Sequence, residues 1–179
     1  ALQNMGTSAL AAAPRRVAGR FEPAFLAAFW LAFTALAFLF PYNGDDWAWG
    51  SPAGIDRLKV WFHDYNGRYA GDLIAIALTR TPWLTPLVVS AAVTLTVFLV
   101  LELTGQRTAL GYTVAVALFL AMPLTQWRES VAWVSGFSNY VLGTMCMLVF
   151  LRATTLDWSG RLGRRRIAVR RCAIVVLAV

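Results

Sequence analysis

The sequence predicts an all-α protein built as a polytopic bundle of transmembrane helices. Hydrophobic residues make up 59% of the chain and charged residues 14%, against about 45–50% and about 25% in soluble globular domains. Mean hydropathy is +0.60. The apolar residues gather in runs near the roughly 20 residues that a helix needs to cross a bilayer, and the charges fall between those runs. The same figures exclude disorder, which requires a chain poor in apolar residues and rich in charge. Cysteines stand only at 146 and 172, too few for a disulfide scaffold. The net charge of +7 does not indicate a nucleic-acid partner, because the basic residues separate apolar segments instead of covering a soluble domain.

Residues 1–20 are rich in Ala and Gly, carry Arg15, Arg16 and Arg20, and have no apolar periodicity; they read as a flexible tail. The first span is 21–40, closed by Pro41, with Glu22 at its edge. Its apolar run exceeds the usual h-region of a signal peptide, and no A-x-A site follows, so it reads as an uncleaved anchor. A polar loop, 42–83, comes next and holds five of the nine acids. Within it, Ile55, Leu58, Val60, Trp61 and Phe62 suggest a short amphipathic helix, and 73–78 forms a second apolar piece too short to cross. Both are expected at the membrane interface. The second span is 84–103, with Pro86 near its start and Glu102 at its end. The third is 110–124, with Pro123 near its end, and a polar, aromatic loop occupies 125–139. The fourth is 140–151, with an alternative start at Val131. A basic stretch follows, and a fifth span starts at Cys172 but has only eight residues before the chain ends. The expectation is therefore an N-terminal portion of a larger membrane protein.

Eleven of the sixteen Lys and Arg residues fall in 1–20, 104–109 and 152–171, and five in 42–83 and 125–139. The positive-inside rule then puts the N-terminus in the cytoplasm and the two long loops outside.

Three loop clusters carry candidate chemistry. Asn43-Gly44-Asp45-Asp46 directly follows the first span. It reads either as a solvated turn or as a general base or metal ligand at the membrane surface, since a carboxylate near apolar surroundings can accept a proton from a hydroxyl. Asn66-Gly67-Arg68-Tyr69 places an Arg on the side where basic residues are scarce; its fork suits phosphate or carboxylate, or a loop acid such as Asp64 or Asp72. The third cluster is Trp127-Arg128-Glu129 with Trp133, Gly136, Asn139 and Tyr140. Trp and Tyr favour membrane interfaces in any case, but six of the eight Trp residues lie on the outward side, and flat aromatic faces also bind sugar rings. His63 is the sole histidine and has no set of partners for zinc. No Gly-rich phosphate loop is present.

The order of these clusters resembles the polytopic GT-C glycosyltransferases, nearest to a bacterial branch related to O-antigen glucosyl- and arabinofuranosyltransferase-like proteins. The residues that carry the resemblance are Gly44-Asp45-Asp46 opening the first loop, Asn66-Gly67-Arg68-Tyr69 within it, and Trp133-Val134-Ser135-Gly136-Phe137-Ser138-Asn139-Tyr140 in the second. It covers roughly 21–151. The resemblance implies a sugar transferase in the bacterial plasma membrane that uses a polyprenyl-phosphate-linked donor. Asp45 or Asp46 would be the catalytic base or would hold a divalent metal ion, the one candidate cofactor. Asn66, Arg68, Tyr69, Trp133, Asn139 and Tyr140 would bind substrate. The expected partners are that lipid-linked sugar and the bilayer. The family has many more spans than this chain. The alternative is a non-catalytic membrane component, either a transporter or flippase-like subunit or a structural anchor; the scarcity of charge within the spans argues against a transmembrane path.

Overall fold

The structure, a computed structural model, describes residues 21–63 and 67–158, with side chains through Thr155. The tail 1–20, Asn66, the basic stretch beyond Trp158 and the run from Cys172 lie outside the described residues. The described residues are mainly helical, with no strand among them. Two helices are long and apolar enough to cross a membrane, and three are if one bent pair counts as a single span.

Helix α1, Phe21–Ala37, has 17 residues, shorter than the expected run to residue 40. The chain tightens through Leu39 N–H to Leu36 O and Phe40 N–H to Ala37 O, three-residue bonds that end a helix just before Pro41. Helix α2, Asp46–Gly50, and helix α3, Pro52–Lys59, follow. Ser51 caps α3 by accepting from Ala53 N–H, and Pro52 is preset for a first helical turn.

The amphipathic helix expected to reach Phe62 stops at Lys59. Phe62 N–H bonds Arg57 O and Trp61 N–H bonds Leu58 O, the two bonds of a Schellman end. Trp61 and Phe62 take φ of +52° and +55° where glycine is usual. Burial of Phe62 against Trp49, Ala75 and Ile76 holds that conformation.

Helix α4, Tyr69–Thr79, is not an isolated interfacial piece. It packs against α2 and helix α8, Val134–Trp158, and it buries Ala75, Ile76 and Leu78. Its last carbonyls are answered from elsewhere, Leu78 O by the Thr85 hydroxyl at 2.6 Å and Thr79 O by the Tyr42 hydroxyl at 3.1 Å.

Helix α5, Thr85–Thr104, starts with Pro86 in its first turn and ends on Gly105 at φ +72°, again with Schellman bonds, Gln106 N–H to Leu101 O and Gly105 N–H to Glu102 O. Its 20 residues span about 30 Å. Helix α6, Ala109–Leu120, is capped by Thr108, whose side chain accepts from Gly111 N–H at 3.0 Å. The turn at Met122-Pro123 then sends the chain off at 91° into helix α7, Leu124–Trp127, which continues as a π-helical turn over Arg128–Ala132. Helix α8 begins at Val134, six residues before the expected 140 and close to the alternative at Val131.

Helix α1 packs on α5, α5 on α6 and α8, and α4 on α8. The main core lies where these meet, built on Phe33, Leu78, Val89, Val93, Val134 and Phe137. Trp127 closes it with its ring 4.9 Å from Phe119 and 5.7 Å from Phe33.

Candidate functional site

The chain reverses along the bundle so that the helix ends form two groups. One group joins the start of α1, the end of α5, the start of α6 and the far part of α8, and contains an ion network. Arg107 grips both oxygens of Glu22 through Nε (2.8 Å) and Nη2 (2.5 Å), and its Nη1 donates to Glu102. Arg152 donates to the other Glu102 oxygen at 2.6 Å, and the Tyr112 hydroxyl donates to Glu22 at 2.6 Å.

The opposite group joins the exit of α1, the short helices α2 to α4, the entry of α5 and the π-turn, and holds the aspartate pair. Gly44 turns the chain at φ +55°, a conformation that side chains resist, and sets Asp45 and Asp46 side by side. Their environments then diverge. Asp46 is fully buried. Its Oδ1 accepts from Ser135 N–H and the Ser135 hydroxyl, both at 3.0 Å, and its Oδ2 accepts from Val134 N–H at 3.1 Å and Asn43 N–H at 3.3 Å. Val134 and Ser135 open α8, so Asp46 caps that helix from 88 residues away. The reason lies in the sequence of α8. The residue before it is Trp133, extended at φ −85°, ψ 118°, with its carbonyl accepting the first helical bond from Phe137 N–H. That is the N-cap position, where an acceptor side chain normally serves, and an indole has no acceptor. Burial pushes the Asp46 carboxyl above the usual carboxylate range, while the N–H and O–H donors pull it back.

Asp45 is half-buried, and its Oδ1 accepts from the Trp133 indole N–H at 3.0 Å. The two carboxylates therefore face different partners. Among the described residues no group of three or more His, Cys, Asp or Glu is placed to hold a metal. The four donors on Asp46 occupy the oxygens that a shared cation would need, so the pair does not fit a divalent metal.

A mostly apolar cleft of about 400 Å³ lies at the same end of the bundle, lined among others by Phe38, Phe40, Tyr42, Trp83, Ala132 and Val134. The last of these gives its N–H to Asp46, so the cleft shares a wall residue with the buried carboxylate. Tyr42 backs it, and its phenol is raised above the ordinary value first by burial and then by the nearby Asp46 charge, with the Thr85 hydrogen bond acting the other way.

The other expected site residues divide. Asn139 sits one turn beyond Ser135, donates to Ser135 O at 2.7 Å, and lies so close to α4 that a Cβ on Gly71 would meet its Oδ1 at 2.4 Å. Asn139 thus belongs to the packing of α4 on α8. Arg68 and Tyr69 are exposed at the start of α4, with the Tyr69 ring 6.1 Å from Phe62. Tyr140 lines a different crevice, of about 200 Å³, with Val93, Phe119 and Met122. Among the described residues, Trp133 is an expected substrate binder that the structure joins to Asp45. Tyr42 and Ser135 were not singled out by the sequence as site residues. Tyr42 could have been noticed as the first polar aromatic after the α1 exit, but nothing local marks Ser135 as a partner of Asp46.

No protein-family model, no curated protein and no solved structure matches the chain.

Proposed function

We propose that the chain is part of a GT-C-type membrane glycosyltransferase that moves a sugar from a polyprenyl-phosphate-linked donor to a cell-envelope acceptor. The site would lie at the outer face of a bacterial plasma membrane, with the N-terminus in the cytoplasm. The observation that carries this reading is the half-buried Asp45 carboxylate, held by one indole N–H, at the same end of the bundle as a mostly apolar cleft walled by Phe38, Phe40 and Trp83. A lipid-linked donor keeps its tail in hydrocarbon and its reacting carbon just beyond it, so a base must stand at the rim of an apolar groove. Asp45 is the base in this scheme. It takes the acceptor hydroxyl proton as the oxygen attacks the anomeric carbon and the bond to the lipid phosphate breaks. Asp46, held by four donors, supports the turn and caps α8. The transporter alternative is disfavoured by the scarcity of charged residues within the apolar helices.

The test is transfer of label from an undecaprenyl-phosphate-linked radiolabelled hexose, by membranes carrying the full-length protein. Asp45→Asn should lower the rate by about 10²-fold or more, the scale of a lost general base. Wild-type transfer by Asp45→Asn removes the reading.

A further inference from the structure

We infer that Trp133 is a positioning residue that clamps the Asp45 carboxylate, not a surface for a sugar ring. This deepens the reading of Asp45 as base and rests on it for its catalytic meaning.

Four observations converge. The indole N–H donates to Asp45 Oδ1 at 3.0 Å across 88 residues of sequence. Trp133 holds the N-cap position of α8 but cannot cap, and Asp46 has taken that task through Val134 and Ser135, which leaves the indole to its single polar contact. The π-turn aims the residue. Trp133 N–H bonds Arg128 O five residues back, and the extra residue in that turn rotates the following side chain relative to an α-helical course. Finally, the ring has a made-to-measure seat, since a Cβ on Gly136 would lie 2.8 Å from the Trp133 ring and 2.0 Å from Glu129 O. With Oδ1 held, Asp45 presents Oδ2 as the oxygen that can accept a proton, in one orientation. That removes the rotational search a free carboxylate would make before each turnover.

The test uses the full chain in lipid nanodiscs, labelled with ¹⁵N at the indole nitrogens. The Trp133 signal is assigned by its absence in Trp133→Phe. Asp45→Ala alters a half-exposed turn residue and leaves the core intact, so the variant should fold. The Trp133 N–H should then move in the spectrum and exchange with water about tenfold faster, as befits loss of a hydrogen bond to a charged acceptor. In the transfer assay, Trp133→Phe should lower kcat with KM within about twofold. It should cause no further loss in the Asp45→Asn background, since a positioning residue has nothing left to position. An indole signal indifferent to Asp45→Ala overturns the inference, as does a Trp133→Phe effect that is fully additive with Asp45→Asn. The base reading fails separately, by active Asp45→Asn, and the indole spectrum does not depend on it.

Discussion

The two ends of the bundle each hold a pair of acids and treat them in opposite ways. At one end Glu22 and Glu102 meet Arg107 and Arg152, two acids and two cations among the described contacts. At the other, Asp45 and Asp46 meet no cation among the described contacts; their hydrogen bonds come from backbone N–H groups, a hydroxyl and an indole. The first arrangement ties α1, α5, α6 and α8 together and leaves no carboxylate oxygen for chemistry. The second relies on the positive end of a helix to hold one carboxylate and leaves its neighbour with one oxygen held. Closed ion pairs thus mark the fastening of the fold, and the uneven pair marks the candidate site.

The comparison breaks most visibly at Arg107. Arg107→Ala would leave Glu22 without its bidentate partner and Glu102 with only Arg152. Removing one member of a buried ion pair costs about 3–5 kcal/mol, so thermal unfolding in detergent should show a loss near the lower figure, given that Arg107 is 24% exposed. Replacing Glu22 and Arg107 together by Gln and Met should cost less than Arg107→Ala alone. If the double change costs more, the network is not a closed charge balance.

At the opposite end, Asp46→Ala should cost about 2 kcal/mol, because it strips two backbone N–H groups of α8 of their acceptor in a buried place. It should also lower transfer indirectly, by loosening Trp133 and with it Asp45. Asp46→Asn keeps one acceptor oxygen and should fall between the two. Equal stability of Asp46→Ala and wild type would show that α8 does not depend on its remote cap.

The smallest effect sharpens the same contrast. Thr108 caps α6 from its own N-terminus, in the ordinary local manner, and Thr108→Ala should cost about 1 kcal/mol with transfer unchanged. A Thr108→Ala loss as large as that of Asp46→Ala would erase the distinction between a local and a remote cap.

Much of this could be read along the chain. Pro86 and Gly105 bracket α5, and Thr108 announces α6, because each signal acts within one turn of the backbone. The apolar length of α5 is likewise composition, visible without coordinates, whereas the expected span 140–151 covered only the middle of α8. The start of α8 was harder to find, since Trp133 stands where a capping side chain belongs and the polar stretch around it reads as loop. The end of α3 was misplaced because its terminator is Trp61, not a glycine; burial of Phe62, a tertiary contact, holds the left-handed turn.

The site itself shows the division most sharply. The sequence alone determined that an Asp-Asp pair follows the first apolar helix, and that Trp133 and Ser135 stand after the third apolar run. It gave the two aspartates equal claims, since adjacent identical residues share every local property. Only the packing of α1, α5 and α8 separated them, by bringing the uncapped start of α8 against Asp46 and the indole against Asp45. Hydrogen-bond partners 88 residues apart depend on where helices meet in space, whereas propensities and caps act over a few residues, and so only the fold gave the two carboxylates different surroundings.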